Sequence, residues 1–583
     1  MVGIMNTETL NRWRPHPWVL VFGAIGFVLG LTPSLLPRTF FYQGLICGLA
    51  AASAYGLGLL LFTLWDTWGR DRVAERLQGK LPSLSTRHRA RAELILTVVL
   101  LIWMLTLVIF SLRWQRGLAE LTEARAYELW EFLLVLPIGV ISWAMAIILA
   151  RGLRLLVRWF ARTVLGGWAP SLQAVTAWAL AIIILLITVE QVIPGTIVRG
   201  TERALYTQYQ QPEPGVEPPT APERSGSPAS PVEWESLGQY GTRFVSQGLG
   251  RDQLTELTGR PAREPIRVYA GLDTAPTHTE RARVLIDELL RTDAVSREAI
   301  VLNFTTGTGW VNPQAVQAFE LLYNGDTAWA AAQYSYLPSP VHFLQGGTDV
   351  VNGGRELITP IIDWWNTLPE DTRPRLYLYG ESLGSTGVES GFSGIRDIVN
   401  SVDGILLAGP PNFNPLWSAF TERRDPGTPE VQPEYSGGAV IRFANSAADV
   451  QAFAQTLDEE SWGPTRVLYL QHPSDPVVWW SPSLIFREPD WLEEEPGFDR
   501  LPAMRWMPVI TFLQISADLP MAQNVPDGHG HNYGASMLDG FAAIATPDAG
   551  FTVEDVEELK PLYDRAQRIS GDDRWIPGLP PSG

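Results

Sequence analysis

The sequence predicts two structural classes in one chain: an N-terminal all-α transmembrane bundle of about five helices, then a doubly wound α/β domain with a mostly parallel sheet. Three observations carry that expectation. Long apolar runs are confined to residues 17–195. A stretch dominated by Pro, Glu, Gly and Ser follows at 210–231. Beyond it, strand-like and helix-like segments alternate, the pattern of a sheet whose strands are joined by crossover helices. The expected boundaries are 1–200 for the bundle, 201–232 for a linker and 233–575 for the α/β domain.

A chain of 583 residues exceeds one ordinary domain. Its net charge of −18 lies mainly in the second part, which argues against a nucleic-acid partner. Cys47 is the single cysteine, so no intrachain disulfide is possible and cysteine usage does not report the compartment.

Five segments are long and apolar enough to cross a bilayer, which takes about 20 residues each. They are Trp18–Leu36, Phe41–Trp65, Leu94–Leu112, Phe132–Ala150 and Leu172–Ile193. The first reads as a retained helix, because four more follow and no small-residue cleavage site stands out. Basic residues crowd two loops, Arg70 to Arg91 and Arg151 to Arg162, and the N-terminus adds Arg12 and Arg14. The other side holds Arg38, then Arg113, Arg116 and Arg125 diluted by Glu120, Glu123 and Glu128. The basic side faces the cytoplasm. With five spans the α/β domain lies on the exoplasmic side of the cytoplasmic membrane, and a re-entrant segment would reverse that. Charges within the spans are scarce. Glu190 reads as a headgroup-level acid, so the bundle reads as an anchor rather than a transporter.

The stretch 210–231 is expected to be a disordered or extended spacer. Strands are predicted at 265–272, 299–304, 330–337, 375–380, 404–409 and 466–471, with helices at 277–291, 313–323, 349–368, 447–457 and 553–568. Ligands of such sheets bind beyond the carboxyl ends of the strands, so the chemistry is sought there.

"RLYLYGESLGS" (375–385) is a strand that ends in Gly380, Glu381, Ser382, Leu383 and Gly384. GxSxG alone is a weak signal. Placed between a strand and a helix, it is a tight turn that lifts a serine hydroxyl above the sheet. A nucleophilic serine needs a base, and the base an orienting acid. Asp475 stands just past a strand in "RVLYLQHPSDPVVWW". Three histidines follow Ser382: His472 reads as a loop or pocket residue, and "VPDGHGHNYG" carries His529 and His531, with His531 favoured as the base. A zinc reading of the two nearby histidines lacks further His or Cys ligands close by, so no metal and no cofactor is expected. Leu383 N–H and either Thr306 or Gly307 N–H, in "NFTTGTGWVNP", are the expected oxyanion donors. Trp479 and Trp480 could line an acyl pocket or touch lipid, and the insert 409–440 could cap the site.

Taken together, "SLGQYGTRFVSQG", "TTGTGW", "YGESLGS", "HPSDPVVWW" and "GHGHNYG" resemble a bacterial family of membrane-anchored α/β-hydrolases with a multi-span N-terminal region. The resemblance implies a triad of Ser382, Asp475 and a histidine, and it does not choose between His529 and His531. The expected function is a serine hydrolase acting on carboxylic esters, with acyl-lipids plausible beside a bilayer. Transfer of the acyl group to a cell-envelope alcohol is the alternative within enzymes. A non-catalytic ligand-binding or transport-associated protein is the alternative outside them. The oligomeric state is not legible.

Overall fold

The computed structural model describes residues 17–66, 86–164, 208–337, 348–456, 462–545 and 551–570, with a few isolated positions between them. The chain divides into two compact units. One comprises residues 1–181 together with 480–525; the other comprises 182–479 and 526–583.

Among the described residues of the first unit, three helices are long and apolar enough to cross a membrane: Phe40–Leu64, Arg91–Leu121 and Leu129–Val164. The first expected span is a shorter helix, Pro17–Leu29. It stops where Thr32, Pro33 and Pro37 follow, since proline donates no amide hydrogen and disfavours helix in the residue before it. The fifth expected span and Glu190 fall outside the described residues. The interior is built from Phe27, Leu31, Cys47, Met104, Val108, Leu112, Phe132 and Val135. Small residues allow the backbones to approach: a Cβ at Gly48 would lie 2.6 Å from the Gly139 carbonyl oxygen.

The segment 480–525 belongs to this unit, which the sequence did not suggest. Its helix Ile510–Asp518 ends in Asp518, whose fully buried carboxylate accepts from Arg38 Nε at 2.7 Å. Leu35 N–H donates to the same carboxylate at 3.1 Å, and so does Ser34 Oγ. Gln115 Oε1 accepts from Arg38 N–H at 2.9 Å, and Gln43 Oε1 from Arg38 Nη1 at 3.1 Å.

The second unit holds a seven-stranded sheet of order β1-β3-β2-β4-β5-β7-β6, with every pairing parallel. The strands are β1 (Ile266–Ala270), β2 (Ala299–Phe304), β3 (Thr327–Ala332), β4 (Arg375–Glu381), β5 (Gly404–Ala408), β6 (Ile441–Ala444) and β7 (Arg466–Leu470). They are buried almost throughout, as strands covered on both faces must be, and so read as continuous apolar runs. This explains two departures from the expected elements. β3 lies at 327–332 rather than 330–337, because "TAWAAA" has no alternation to mark it. β6 is only four residues long, and the sequence reading passed over it. Helices His278–Arg291, Pro313–Leu322, Thr348–Asn366 and Val553–Ser570 fall where the apolar spacing puts them. The chain turns back between β2 and β3, so β2 and β4 flank the switch point of the sheet, the place beyond whose carboxyl ends sheets of this kind bind their ligands.

The expected spacer is instead ordered against this sheet. Backbone bonds join Ser225 N to Arg267 O at 3.1 Å and Arg267 N to Glu223 O at 3.2 Å, which covers the edge of β1. Arg224 is buried and pairs with Glu264 at 2.9 Å. Glu288 accepts from Ser225 Oγ at 2.6 Å and Ser230 Oγ at 2.9 Å. Polar side chains with buried partners order a segment that has few apolar residues of its own.

Glu288→Ala leaves the two serine hydroxyls and Arg291 without their acceptor, at a cost of about 1–3 kcal/mol. Limited proteolysis between Gln211 and Val232 is expected to speed up in that variant, while cleavage elsewhere in the α/β unit is unchanged.

Candidate active site

The site is assembled from loops at the carboxyl ends of β2, β4, β5 and β7. β4 runs into Ser382, whose backbone is held at φ 55° and ψ −127°, a region that a residue with a Cβ rarely occupies. The helix Leu383–Ser390 starts at the next residue. Ser382 N–H donates to the Ala408 carbonyl at the end of β5 at 2.9 Å, which fixes the turn to the neighbouring strand. Glycine is required at 384, where a Cβ would lie 2.5 Å from the Phe304 carbonyl oxygen of β2. The strained turn is thus wedged between two strand ends.

Asp475 follows β7 and is fully buried. Its Oδ1 accepts from Val477 N–H at 2.8 Å. Its Oδ2 bonds to His531 Nδ1 at 2.7 Å and accepts from the Tyr533 hydroxyl at 2.7 Å. A carboxylate only accepts, so His531 Nδ1 carries the proton and Nε2 presents a lone pair. That Nε2 is buried and has no hydrogen-bond partner among the described residues. The ring lies over Gly409, where a Cβ would sit 2.5 Å from His531 Cε1. Gly409 directly follows Ala408, whose carbonyl holds the Ser382 amide. The imidazole therefore stands at the strand end beside the serine.

Of the two expected histidines, His531 is the one on Asp475. His529 contributes its carbonyl to the loop, accepting from Asn532 N–H at 3.1 Å. His472 proves to be a brace for this loop. Its Nδ1 bonds to the Gly530 carbonyl at 2.8 Å, its ring stacks on Tyr533 with centroids 4.1 Å apart, and its backbone N–H donates to the Tyr533 hydroxyl at 3.1 Å. Tyr533 was not singled out from sequence. Its signal is faint: an aromatic two residues after His531, on the same alternation.

Burial disfavours the charged form of His531, but the charge and hydrogen bond of Asp475, with the charge of Glu381, outweigh it and raise its pKa above the ordinary imidazole value. Glu381 is itself buried, and desolvation raises its pKa against the opposing pull of His531, Asn312 and Tyr379. Its Oε2 accepts from Asn312 Nδ2 at 2.6 Å and from the Tyr379 hydroxyl at 2.7 Å.

Gly384 also places the elbow next to the loop that starts at Thr305. In that loop Thr306 N–H turns back to the Trp310 carbonyl at 3.4 Å, and Gly309 N–H donates to the Thr306 carbonyl at 2.9 Å. Tyr269 closes it with a hydroxyl bond to the Gly309 carbonyl at 2.8 Å. Trp479 does not line a pocket. It is fully buried, and its indole donates to the His472 carbonyl at 3.0 Å. Trp480 belongs to the first unit and donates to Ser516 Oγ at 2.8 Å. The insert after β5 carries the helix Pro415–Glu422. Glu389, on the elbow helix, caps it by accepting from Leu416 N–H at 2.8 Å and Trp417 N–H at 3.3 Å. Burial pushes the Glu389 carboxyl up to about 7. Among the described residues, no three His, Cys, Asp or Glu side chains come together as a metal site.

A parallel, doubly wound sheet with a serine on a strained strand–helix turn, and an acid and histidine on later strand-end loops, defines the α/β-hydrolase class. Residues 266–559 match the model of an alpha/beta-hydrolase family and residues 31–248 match that family's N-terminal region, so the chain belongs to this family. No match was found among curated proteins or among solved structures.

The imidazole of His531 is expected to titrate above the usual 6.5, followed through its ring proton by NMR. Removing a nearby negative charge destabilises the imidazolium. Glu381→Gln should therefore lower that pKa, and an upward or absent shift would contradict the electrostatics described here.

Proposed function

We propose that the protein is a membrane-anchored serine hydrolase that cleaves carboxylic esters, acyl-lipids among them, through Ser382, His531 and Asp475. The observation that carries the reading is the buried, unpartnered Nε2 of His531 at the strand end that also holds the Ser382 amide. A buried acceptor without a partner is costly, and a serine hydroxyl is the group it suits.

In this mechanism Nε2 takes the hydroxyl proton as Ser382 Oγ bonds to the ester carbonyl carbon. The charge moves to the carbonyl oxygen, which meets Leu383 N–H at the head of its helix and Gly307 N–H across the crevice. Gly307 suits the second role better than Thr306, whose amide is engaged within its loop. Collapse breaks the bond to the alcohol, which leaves with the proton from Nε2 and gives the acyl-enzyme. Water then repeats the sequence and releases the acid. Asp475 and Tyr533 hold the imidazole in the required tautomer throughout.

The orientation rests on the sequence: with Arg70 to Arg91 and Arg151 to Arg162 in the cytoplasmic loops, five spans put the α/β domain on the opposite side. By the distribution of Lys and Arg, this is the exoplasmic side of the membrane.

A fluorophosphonate probe is expected to label the full-length protein, and Ser382→Ala to abolish labelling; persistent labelling in that variant would overturn the assignment. His531→Ala should slow ester hydrolysis by about 10³-fold or more, whereas His529→Ala should leave most of the rate. Because the imidazole must be neutral to accept the proton, kcat/KM should fall as pH drops through its raised pKa, with an acid limb above 6.5. Product analysis with and without an added alcohol separates hydrolysis from acyl transfer.

A further inference from the structure

We propose that Asn414, in the insert after β5, is a positioning residue for the oxyanion donor Leu383 N–H, acting through the Ser385 hydroxyl. This rests on the serine-hydrolase reading above. The first clue is a helix cap that is not used as one. Asn414 occupies the N-cap of helix Pro415–Glu422, where an asparagine ordinarily accepts from the first helical amides. It makes no such bond. Glu389 of the elbow helix caps in its place, through Leu416 N–H at 2.8 Å and Trp417 N–H at 3.3 Å. The Asn414 side chain is fully buried and turned onto the first two turns of the elbow helix instead. Its Oδ1 accepts from Thr386 Oγ1, and its Nδ2 donates to Ser385 Oγ at 2.9 Å and to Glu389 Oε1 at 3.1 Å.

The direction of each bond follows from what the partners can do. A carboxylate only accepts, so Glu389 fixes which end of the Asn414 amide faces it. Ser385 Oγ thereby receives an amide hydrogen, and its own proton goes to the Ser382 carbonyl at 2.6 Å. Ser385 N–H donates to the same carbonyl at 2.9 Å. The Ser382 carbonyl and Leu383 N–H belong to one peptide group, which is planar and holds the two bonds in opposite directions. Whatever aims that carbonyl therefore aims Leu383 N–H. Ser382 heads its helix without a side-chain cap bond, so its own hydroxyl does not hold the turn. β5 holds the turn by its amide and Ser385 holds it by its carbonyl. The insert, through Asn414, sets the second of these holds.

The test uses the full-length protein in lipid nanodiscs with p-nitrophenyl butyrate as the ester, well above pH 7 so that Glu389 is ionised. An oxyanion donor acts in the transition state, so its misalignment lowers kcat and leaves KM and the base alone. Ser385→Ala and Asn414→Ala are each expected to lower kcat about tenfold, with KM within about twofold and the His531 NMR titration unshifted. Rates are taken per active site, counted by the amplitude of fluorophosphonate labelling. Both variants act through one hydroxyl, so the double variant should fall within about threefold of the slower single one.

Unchanged kcat in Ser385→Ala would overturn the proposal. So would a loss carried by KM, a loss accounted for by fewer labelled sites, or a shifted His531 titration. A double variant slowed by the product of the two single effects would overturn it as well, since the residues would then act independently. Should Asn414→Ala fail to fold, the near-isosteric Asn414→Asp decides. It keeps the acceptor for Thr386 and draws the Ser385 proton away from the Ser382 carbonyl, so an undiminished kcat there overturns the proposal equally. An unmodified protein that takes no label is failure of the serine-hydrolase reading, and this inference falls with it. A labelled protein whose variants keep their kcat is failure of this inference alone.

Discussion

Everything at the site turns on one fully buried carboxylate. Asp475 has no solvent to stabilise its charge, and burying such a group is tolerable only when its lone pairs are met by donors. Val477 N–H, the Tyr533 hydroxyl and His531 Nδ1 supply them. Two of these three come from a loop more than fifty residues further on in the chain. The demand for donors is therefore what recruits the glycine-bounded histidine loop to the end of β7. His472 extends the same logic: its ring covers the flat face of Tyr533 and its backbone amide satisfies the phenol oxygen. The imidazole is left with one ring nitrogen engaged and the other presented.

Around that charge, steric constraint does the rest. The Ser382 backbone would relax if its surroundings allowed, but the β5 carbonyl on its amide and the β2 carbonyl against Gly384 leave no room. Glu381, beside it in sequence, adds a second buried acid whose field favours the imidazolium. Glu389, two turns along the helix, bonds the insert to the same element. A helix of eight residues thus presents the serine at one end and holds the insert at the other.

The parts legible in the sequence are those encoded locally. Ser382, Asp475 and the loop carrying His529 and His531 were placed by the rule that ligands meet strand ends, together with glycines that only a tight turn requires; the choice between the two histidines was not encoded locally. Among the described residues, three helices long and apolar enough to cross a membrane declared themselves by length and composition. What sequence did not convey depends on contacts between distant residues. Tyr533 looked like any loop aromatic until its hydroxyl met a carboxylate. Residues 210–231 have the composition of a disordered spacer, and partners far along the chain, the edge of β1 with Glu264 and Glu288 among them, order them. β6 is too short to declare itself, and β3 is an alanine run whose strand character comes from being covered on both faces. Trp479 and Trp480 are adjacent in sequence yet belong to different units, a division that no pattern of hydrophobicity announces.

That division bears on how such a protein can be inherited or dissected. An enzyme domain joined to its anchor by one linker is a cassette: it can be shed by a protease, expressed by itself, or moved to a new anchor. Here the chain passes between the units three times, after Ala181, Trp479 and Val525. A single nick ahead of the α/β unit would not release it. A truncated form starting at Ile182 would still carry Asp518, now without the buried guanidinium that balances it. The two units are thus bound to a common evolutionary fate, since neither can be exchanged without rebuilding the surface on which the segment 480–525 rests.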